Sequence, residues 1–243
     1  MKITKLVILF NYKKILLGII VSLILMITSF QISSNTISIV LKILSILILL
    51  NIIASVIASY ILYDHSDLYE LNDLQEIIDF RNTESVILIH ASFDPLSGPL
   101  EKKYKNLDLV VCDIYGNRHE HEKGIETSKK VFPPNPAEIK ISPNKLPFED
   151  KSVDVILAVT SLHEILNHKD RVLFFKEAKR VVKDNGVIVM SEQFQNIINF
   201  IFFNIGAFHF LTKKQWEKAI SEADLKVVVN KKNTPFANTL IIR

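Results

Sequence analysis

The sequence predicts an α/β domain with a doubly wound, mostly parallel seven-stranded sheet whose last strand is antiparallel, preceded by two transmembrane helices. Three observations support this prediction. Two long uncharged apolar runs occupy the first 63 residues, short strand-type runs alternate with helical stretches from residue 85 onward, and the last two runs are joined without a helix. Alternating strands and helices are typical of a parallel sheet that is covered by helices on both faces.

The N-terminal 63 residues are predicted to form a membrane anchor. No charged residue occurs between Ile15 and Leu41 or between Ile43 and Tyr63. A helix needs about 20 apolar residues to cross a bilayer core, so Ile15–Ile32 and Ile37–Leu62 both qualify. The apolar region is too long for a cleaved signal peptide, and the first run is not followed by a small-residue cleavage site.

The lysines predict how the anchor is oriented. Four lysines precede the first span and the connecting loop has none, a pattern that places the N-terminus in the cytoplasm. Two crossings return the chain to the same side. We therefore expect a protein of the inner (cytoplasmic) membrane, with the bilayer as a partner and the domain facing the cytoplasm.

Composition limits the other partners. The chain has a net charge of +3, but five lysines and no acids lie in residues 1–63. The remainder holds 24 basic and 26 acidic residues. The globular part has no basic stripe, so a nucleic-acid partner is not expected. The single cysteine, Cys112, excludes an internal disulfide and a cysteine metal cluster, and its apolar neighbours predict a buried, inert thiol.

Apolar periodicity divides the rest of the chain. Residues 64–84 carry leucines at helical spacing and are predicted to be a juxtamembrane helical linker, or a pair of turns, before a domain over residues 85–243. Seven runs in this domain are predicted strands: Val86–His90, Leu107–Ile114, Ala137–Ile141, Val153–Thr160, Val187–Met190, Leu225–Val229 and Thr239–Ile242. Four stretches between them are predicted helices: Leu100–Asn106, Glu120–Phe132, His163–Val182 and Thr212–Ala223.

One block of about fifty residues is specific enough to indicate a family. It contains a Leu146-Pro147-Phe148 turn, a strand that opens near Asp154, a helix, and a Lys-Asp-Asn-Gly turn at residues 183–186 before a second apolar strand. This order resembles the C-terminal half of class I S-adenosylmethionine-dependent methyltransferases of the type 11 group, which methylate small molecules and lipids. Val153 replaces the usual Phe, and the Lys-Asp-Asn-Gly turn replaces Lys-Pro-Gly-Gly. The resemblance implies a Rossmann-like sheet and S-adenosyl-L-methionine as cofactor.

The loop after the first strand is the main departure from the family. Family members typically have a Gly-x-Gly-x-Gly-like loop at this point, because glycine lets the backbone approach the cofactor closely. This chain has only Gly98 within residues 90–98. The loop either binds the cofactor in altered form or has lost binding. In the first case the resemblance assigns cofactor contacts to His90, Ala91, Asp94 and Gly98.

Residues after the other strands complete the expected site. An acid at the end of the second strand can accept hydrogen bonds from ribose hydroxyls, which makes Asp113 the leading candidate, although a solvated strand-end aspartate is the alternative. Ser142 is expected near the adenine and Thr160 beside the cofactor. His163, which follows the fourth strand, is a candidate general base because imidazole titrates near pH 6.5.

No metal site is expected from the sequence, and the His-Glu-His-Glu run at residues 119–122 is interpreted as a solvated loop. The segment Phe194–Leu211 is crowded with Phe and Ile. In the family this position commonly covers the acceptor pocket, and the alternative is an ordinary core helix.

Two functions are consistent with these features. The first is a membrane-anchored S-adenosylmethionine-dependent methyltransferase acting on a lipophilic or membrane-associated small molecule. The second is a catalytically silent methyltransferase-like domain that serves as a membrane-tethered binding or assembly module. A Rossmann-type oxidoreductase is disfavoured, because the first turn lacks its glycine fingerprint and because it does not explain residues 146–186.

Overall fold

The computed structural model describes residues 2–69, 75, 78–115 and 123–243. The chain begins with a hairpin of two helices, α1 (Lys2–Gln31) and α2 (Asn35–Tyr60). Both are long and apolar enough to cross a membrane, and most of their large apolar side chains are exposed. This exposure distinguishes them from core helices of a soluble domain, which bury their apolar side chains.

Small polar side chains join the two helices of the hairpin. The hydroxyls of Ser22 and Ser45 lie 2.9 Å apart, and each also donates to the backbone carbonyl of the other residue. Gly18 permits close packing, because a Cβ there would lie 2.9 Å from the side chain of Ile52. Small residues and serine hydroxyls are typical of helix contacts in lipid, where apolar side chains provide no preference for the partner helix over the surrounding chains.

The end of the hairpin is closed by an acid at the start of the linker. The carboxylate of Asp64, which lies in a π-helical turn (Ile61–His65), accepts hydrogen bonds from the backbone N–H groups of Ile3 and Thr4 at 3.2 and 2.9 Å. These donors belong to the first turn of α1 and have no partner within the helix. A negative charge at the N-terminal end of a helix also interacts favourably with the positive end of the helix dipole.

The domain contains a seven-stranded sheet, as predicted. Its strands are β1 (Ser85–His90), β2 (Asp108–Asp113), β3 (Ile139–Lys140), β4 (Val153–Val159), β5 (Val182–Gln193), β6 (Val227–Lys232) and β7 (Ala237–Ile242). The strand order is β3-β2-β1-β4-β5-β7-β6, and only β7 runs antiparallel to its neighbours. The predicted doubly wound, mostly parallel fold with an antiparallel last strand is confirmed.

Helices cover both faces of this sheet. They are α3 (Ser97–Lys103), α4 (Lys123–Val131), α5 (His168–Val181), α6 (Ile197–Phe203) and α7 (Lys213–Glu222). Alternate residues of β1 point to opposite faces: Ile87 and Ile89 belong to one buried cluster, and Val86 and Leu88 to the other. The first cluster is filled by α5 and α7. The second includes Ala58 and Leu62 from the end of the hairpin, so this end packs on the domain.

Three predicted elements differ in the structure. The turn predicted at residues 183–186 is part of β5, where an irregular register pairs Val153 with Val182 and Val155 with Val187. The helix predicted from His163 begins at His168, because residues 162–164 form a separate 3-10 turn. The linker, predicted as a helix or a pair of turns, has a 3-10 turn at Asp67–Tyr69. The rest of that prediction, like the start of the helix predicted at residue 120, falls partly outside the described residues.

Gly186 is required by the close approach of β4 and β5. A Cβ at this position would lie 2.5 Å from the carbonyl oxygen of Asp154 and 3.2 Å from that of Lys183. We expect Gly186→Ala to destabilise the domain by ~1–3 kcal/mol and to lower its melting temperature by roughly 3–10 °C. Gly206→Ala is the matched control, because no atom lies within 4 Å of its added Cβ. Equal melting temperatures for the two variants in detergent would contradict this.

Candidate active site

The carboxyl ends of β1, β2 and β4 form the edge of the sheet at which ligands bind in open α/β folds. These strands are neighbours, and the register pairs His90 with Asp113. The fold therefore gathers most of the predicted site residues along one edge. Ser142 lies two residues beyond β3, exposed to solvent.

Asp113 is buried and holds the loop that follows β1. Its Oδ1 accepts hydrogen bonds from the backbone N–H groups of Ser92 at 3.0 Å and Tyr115 at 2.9 Å. Among the described residues, its Oδ2 accepts one long contact, of 3.4 Å from the Ser92 hydroxyl. A carboxylate has about four lone-pair positions, so Oδ2 keeps acceptor capacity for a further donor.

The loop after β1 adopts a left-handed backbone conformation at a residue that is not glycine. Ser92 has a φ of 57°, in the left-handed region that glycine adopts most readily. Asp94 points into the loop, where it accepts from the N–H groups of Leu96 and Ser97 at 3.1 and 2.9 Å and from the Ser97 hydroxyl. A Cβ on Gly98 would have no atom within 4 Å. The backbone of the loop is thus fixed by its own side chains.

A residue from the juxtamembrane linker reaches the end of β4. The hydroxyl of Tyr69 is hydrogen-bonded to Thr160 Oγ1, and its ring stands edge-on to Phe93 at 6.0 Å. Burial raises the pKa of Tyr69, so the phenol stays protonated at neutral pH. Thr160 has a φ of 46°, a second left-handed residue at this edge. Unusual backbone conformations of this kind concentrate at functional sites.

His163 is oriented by a fully buried carboxylate. Glu192, near the end of β5, accepts from the backbone N–H groups of Leu162 and His163 at 2.9 and 3.2 Å. Its other oxygen lies 2.8 Å from His163 Nδ1. In the tautomer that donates from Nδ1 to Glu192, the other ring nitrogen, Nε2, is the atom that faces Glu164.

Two further side chains lie beside His163. Its Nε2 is 3.8 Å from Glu164 Oε1, and the same oxygen is 3.2 Å from His209 Nε2. The rings of His163 and His209 meet edge to face at 5.1 Å, and Phe210 stands 5.8 Å from His163. The ligand atoms of His163, Glu164 and His209 all lie within 4.8 Å of one another, a spacing that could hold a metal ion.

Comparisons with known proteins agree with this geometry. Residues 98–190 match the family model described as a methyltransferase domain. An S-adenosylmethionine-dependent methyltransferase from Aquifex aeolicus superposes with a TM-score of 0.51 at 16% identity, over 72% of this chain and 90% of that one. One from Clostridium acetobutylicum ATCC 824 superposes with a TM-score of 0.51 at 10% identity, over 73% and 91%. A search of curated proteins found no match.

Residues 98–190 match a methyltransferase domain, and the sheet has the fold of class I S-adenosylmethionine-dependent methyltransferases. The family match covers the helix after the first loop, the acid after β2 and the block from Leu146 to β5, which are the parts that the sequence resemblance involved. This match indicates S-adenosyl-L-methionine as the cofactor.

The residues at the carboxyl edge fit this cofactor through Asp113. Its Oδ2 keeps the acceptor capacity that a ribose hydroxyl needs, and Ser92 and Thr160 bring backbone close to the same edge. Asp94 uses its carboxylate within the loop, so the loop would approach the cofactor with backbone atoms. The cofactor contacts assigned to Asp113 and to the other predicted residues stay predictions; those residues are His90, Ala91, Asp94, Gly98, Ser142 and Thr160.

His90 and Ala91 face the protein interior of the methyltransferase domain. His90 is buried, with Nε2 3.2 Å from Glu138 Oε2, and Ala91 packs against the first buried cluster. Ser142 pairs with Lys145 in an isolated bridge. Cys112 is fully buried, and burial raises the pKa of its thiol to about 12, consistent with the predicted inert role.

Three residues of the site were not identified from the sequence: Tyr69, Glu192 and His209. Tyr69 meets Thr160 across 91 residues, and Glu192 meets His163 across 29. Glu192 is the one with a local signal, since it lies within a buried strand, where an acid is rare unless it is paired. A depression of about 490 Å³ that is lined by Leu146, Phe148 and Arg180 lies at the loop before β4, away from this edge.

We predict that Asp113→Ala weakens binding of S-adenosylmethionine about tenfold or more, because lost hydrogen bonds to a charged group typically cost ~1.5–3 kcal/mol. Asp113→Asn should lose less, because its amide oxygen can still accept the two backbone N–H bonds from Ser92 and Tyr115 that hold the loop. Calorimetric titration of the full chain in detergent measures both. Wild-type affinity in Asp113→Ala would remove this residue from the site.

Proposed function

We propose that this protein is a membrane-anchored S-adenosylmethionine-dependent methyltransferase whose acceptor is a lipophilic or membrane-associated small molecule. One observation carries the proposal: the second hairpin helix is hydrogen-bonded to the segment that lies between the bilayer side of the molecule and His163. This covering segment is Ile197–His209, formed by α6 and the 3-10 turn that follows it.

Polar contacts fix the covering segment to α2. Asn51 Nδ2 donates to the carbonyl of Ile201 at 3.0 Å, and Asn204 Nδ2 donates to Asn51 Oδ1 at 2.8 Å. One helical turn further along, the hydroxyl of Ser55 donates to the carbonyl of Phe202. These bonds join residues that are about 150 positions apart in the chain. The distance of the covering segment from the bilayer is therefore set by α2.

Exposed lysines indicate how deep this contact lies. Ser22 lies opposite Ser45 in the antiparallel hairpin. The same register places Lys13 opposite Ala54 and Lys14 opposite Ile53. Lysines near the end of a span lie at the headgroup level, where their ammonium groups remain in water. Asn51 and Ser55 flank this level. The hairpin thus supports a covering segment at the cytoplasmic surface of the bilayer.

The surface of the covering segment suits this position. Ile197, Ile205 and Phe208 are exposed by 70%, 74% and 60%, whereas Phe202 and Phe203 pack on Phe236. The packed part is consistent with a core helix, and the exposed part is the one for which we propose contact with the acceptor. A segment with one face packed on protein and the other exposed and apolar is typical of an interfacial membrane element.

The same segment leads to the candidate site. Its last residue, His209, contacts Glu164 and stands against the ring of His163. An acceptor dissolved in the cytoplasmic leaflet would thus reach His163 along the covering segment without crossing water. We propose His163, directed by Glu192, as the side chain that activates the acceptor nucleophile.

Little further chemistry is needed from the protein. Bound S-adenosylmethionine supplies a methyl group already activated by its sulfonium charge. The residues of this chain need only bind and align the acceptor and exclude water. A hydrogen-bonded histidine beside an apolar entrance is consistent with these tasks.

The second candidate function is a silent, membrane-tethered binding module. The observation that favours it is the loop after β1, in which Ser92 and Asp94 replace the glycine-rich sequence and tie the loop to itself. Cofactor titration separates the two functions. Transfer of labelled methyl groups to a membrane lipid extract supports the enzyme, and absence of both cofactor binding and transfer supports the module.

The proposed topology places both termini in the cytoplasm. A reporter that is active only outside the cytoplasm should be inactive when fused after Arg243, because two crossings return the chain to the side of its N-terminal lysines. The same reporter inserted after Ser34, in the turn between α1 and α2, is the matched control and should be active. Activity after Arg243 would overturn the topology.

Exposed apolar residues of the covering segment should affect acceptor binding. We expect the double variant Ile205→Ser/Phe208→Ser to raise the apparent KM for acceptor in lipid vesicles about tenfold, since ~1.4 kcal/mol is a modest part of the burial energy of two large side chains. Turnover and cofactor affinity should stay unchanged. Val228→Ser, an exposed apolar position on β6, is the control. An unchanged KM, or activity on water-soluble metabolites alone, would contradict the lipophilic acceptor.

A further inference from the structure

We propose that His163, Glu164 and His209 form a binding site for one divalent metal ion of the zinc type, supported by Glu192. The sequence analysis expects no metal site in this chain. The proposal rests on the proposed function only for its catalytic consequence, since metal binding itself needs neither cofactor nor acceptor.

The residue types and their spacing match such a site. Two imidazoles and one carboxylate are a known ligand set of catalytic zinc, with bonds of about 2.0–2.2 Å. Ligands at that distance from a tetrahedral ion lie about 3.3–3.5 Å from one another. In the structure, Glu164 Oε1 lies 3.2 Å from His209 Nε2 and 3.8 Å from His163 Nε2, and all three atoms fall within 4.8 Å. Small side-chain rotations would bring them onto one ion.

Glu192 provides the support that metal-binding histidines usually have. Its carboxylate lies 2.8 Å from His163 Nδ1 and is itself fixed by two backbone N–H groups. A carboxylate that accepts from one ring nitrogen fixes the tautomer, directs the lone pair of the other nitrogen and raises its basicity. The nitrogen directed in this way is Nε2, the atom next to Glu164.

The elements that carry these ligands differ in secondary structure and exposure. Glu164 ends a 3-10 turn directly after β4, and Glu192 belongs to β5. His209 comes from the covering segment and has half of its side chain exposed. Three protein ligands with one open side are typical of catalytic metal sites, whereas structural sites are closed by four.

The alternative to a metal ion is a proton on His163. A protonated His163 between Glu192 and Glu164 would need no metal. However, the 3.8 Å between Nε2 and Glu164 Oε1 exceeds hydrogen-bond length and is close to the separation of two ligands on one ion. The approach of His209 to the same oxygen adds a second imidazole, which a single proton does not require.

An ion here would explain how the acceptor is activated. It would lie where the covering segment meets the end of β4. With an ion bound, His163 would act as a metal ligand and not as a proton acceptor; a hydroxyl of the acceptor at the open position of the ion would lose its proton to solvent more readily, because the ion would stabilise the alkoxide. The acceptor class that this favours is a lipophilic molecule with a hydroxyl group at its polar end.

Metal binding is tested on the full chain in detergent. After treatment with a chelator and dialysis, the protein is titrated with zinc alone, and its metal content and the absorption spectrum of its cobalt form are recorded. We expect one ion per chain with micromolar or tighter affinity and a tetrahedral cobalt spectrum. His209→Ala and Glu164→Gln should each lower the zinc affinity at least about 100-fold, and Glu192→Gln about 10–100-fold.

The chain offers a matched control. His168 and Glu222 form an exposed pair at 2.9 Å with the same residue types, so His168→Ala should leave zinc affinity unchanged. Melting temperatures of all variants exclude loss of folding as the cause. Absence of stoichiometric zinc, an equal loss in His168→Ala, or binding that persists in the His209→Ala/Glu164→Gln double variant would overturn the site.

The result is separable from the proposed function. A chain that transfers methyl groups but binds no zinc contradicts the metal site alone. A chain that binds zinc through these residues but neither binds S-adenosylmethionine nor transfers methyl groups contradicts the methyltransferase proposal alone.

Discussion

One face of the sheet is covered in part by the end of the hairpin, and much of the remaining structure depends on this constraint. Ala58 and Leu62 lie in the same buried cluster as the β1 residues Val86 and Leu88. Burying these side chains removes apolar surface from water on both partners, at roughly 25 cal/mol per Å². The hairpin is therefore joined to the domain by packing, which a flexible tether would not provide.

This packing determines what lies at the carboxyl edge. With the end of α2 fixed, the linker that leaves it brings Tyr63 to Gln193 at 2.9 Å and Tyr69 to Thr160. The same helix holds the covering segment through Asn51 and Ser55. The site is consequently bounded on two sides by elements whose positions depend on the hairpin. A site whose walls are positioned by the hairpin is consistent with an acceptor at the membrane surface.

Buried acids organise the edge itself. Asp113 holds the loop after β1, and Glu192 holds the turn after β4 together with its histidine. A buried carboxylate is stable only when donors satisfy it, so each of these acids imposes one arrangement on the loop around it. Hydrogen bonds to Asp113 and Asp94 hold the backbone of the loop after β1, where glycine-rich loops rely on the wider range of backbone angles that glycine allows. The loop thus has side-chain hydrogen bonds at the place where the family has glycines.

The sequence by itself determined the hairpin, the succession of strands and helices along the chain, the antiparallel last strand, and the placement of His90, Asp113 and Thr160 at strand ends. Each of these follows from patterns of apolar residues that are local in the chain, because a strand or a span must bury or expose its own side chains. The block around Leu146 and Gly186 also identified the family, since its turns and strands have a characteristic spacing.

Only the tertiary structure decided which side chains meet. Glu192 selects the orientation of His163, Tyr69 reaches Thr160, and Asn51 meets Ile201, across separations of 29, 91 and 150 residues. No periodicity encodes such pairs, because they depend on how helices cross the sheet and where the hairpin docks. The irregular register that absorbs residues 183–186 into β5 is a tertiary effect as well, since it arises from pairing with β4 and overrides the local preference for a turn.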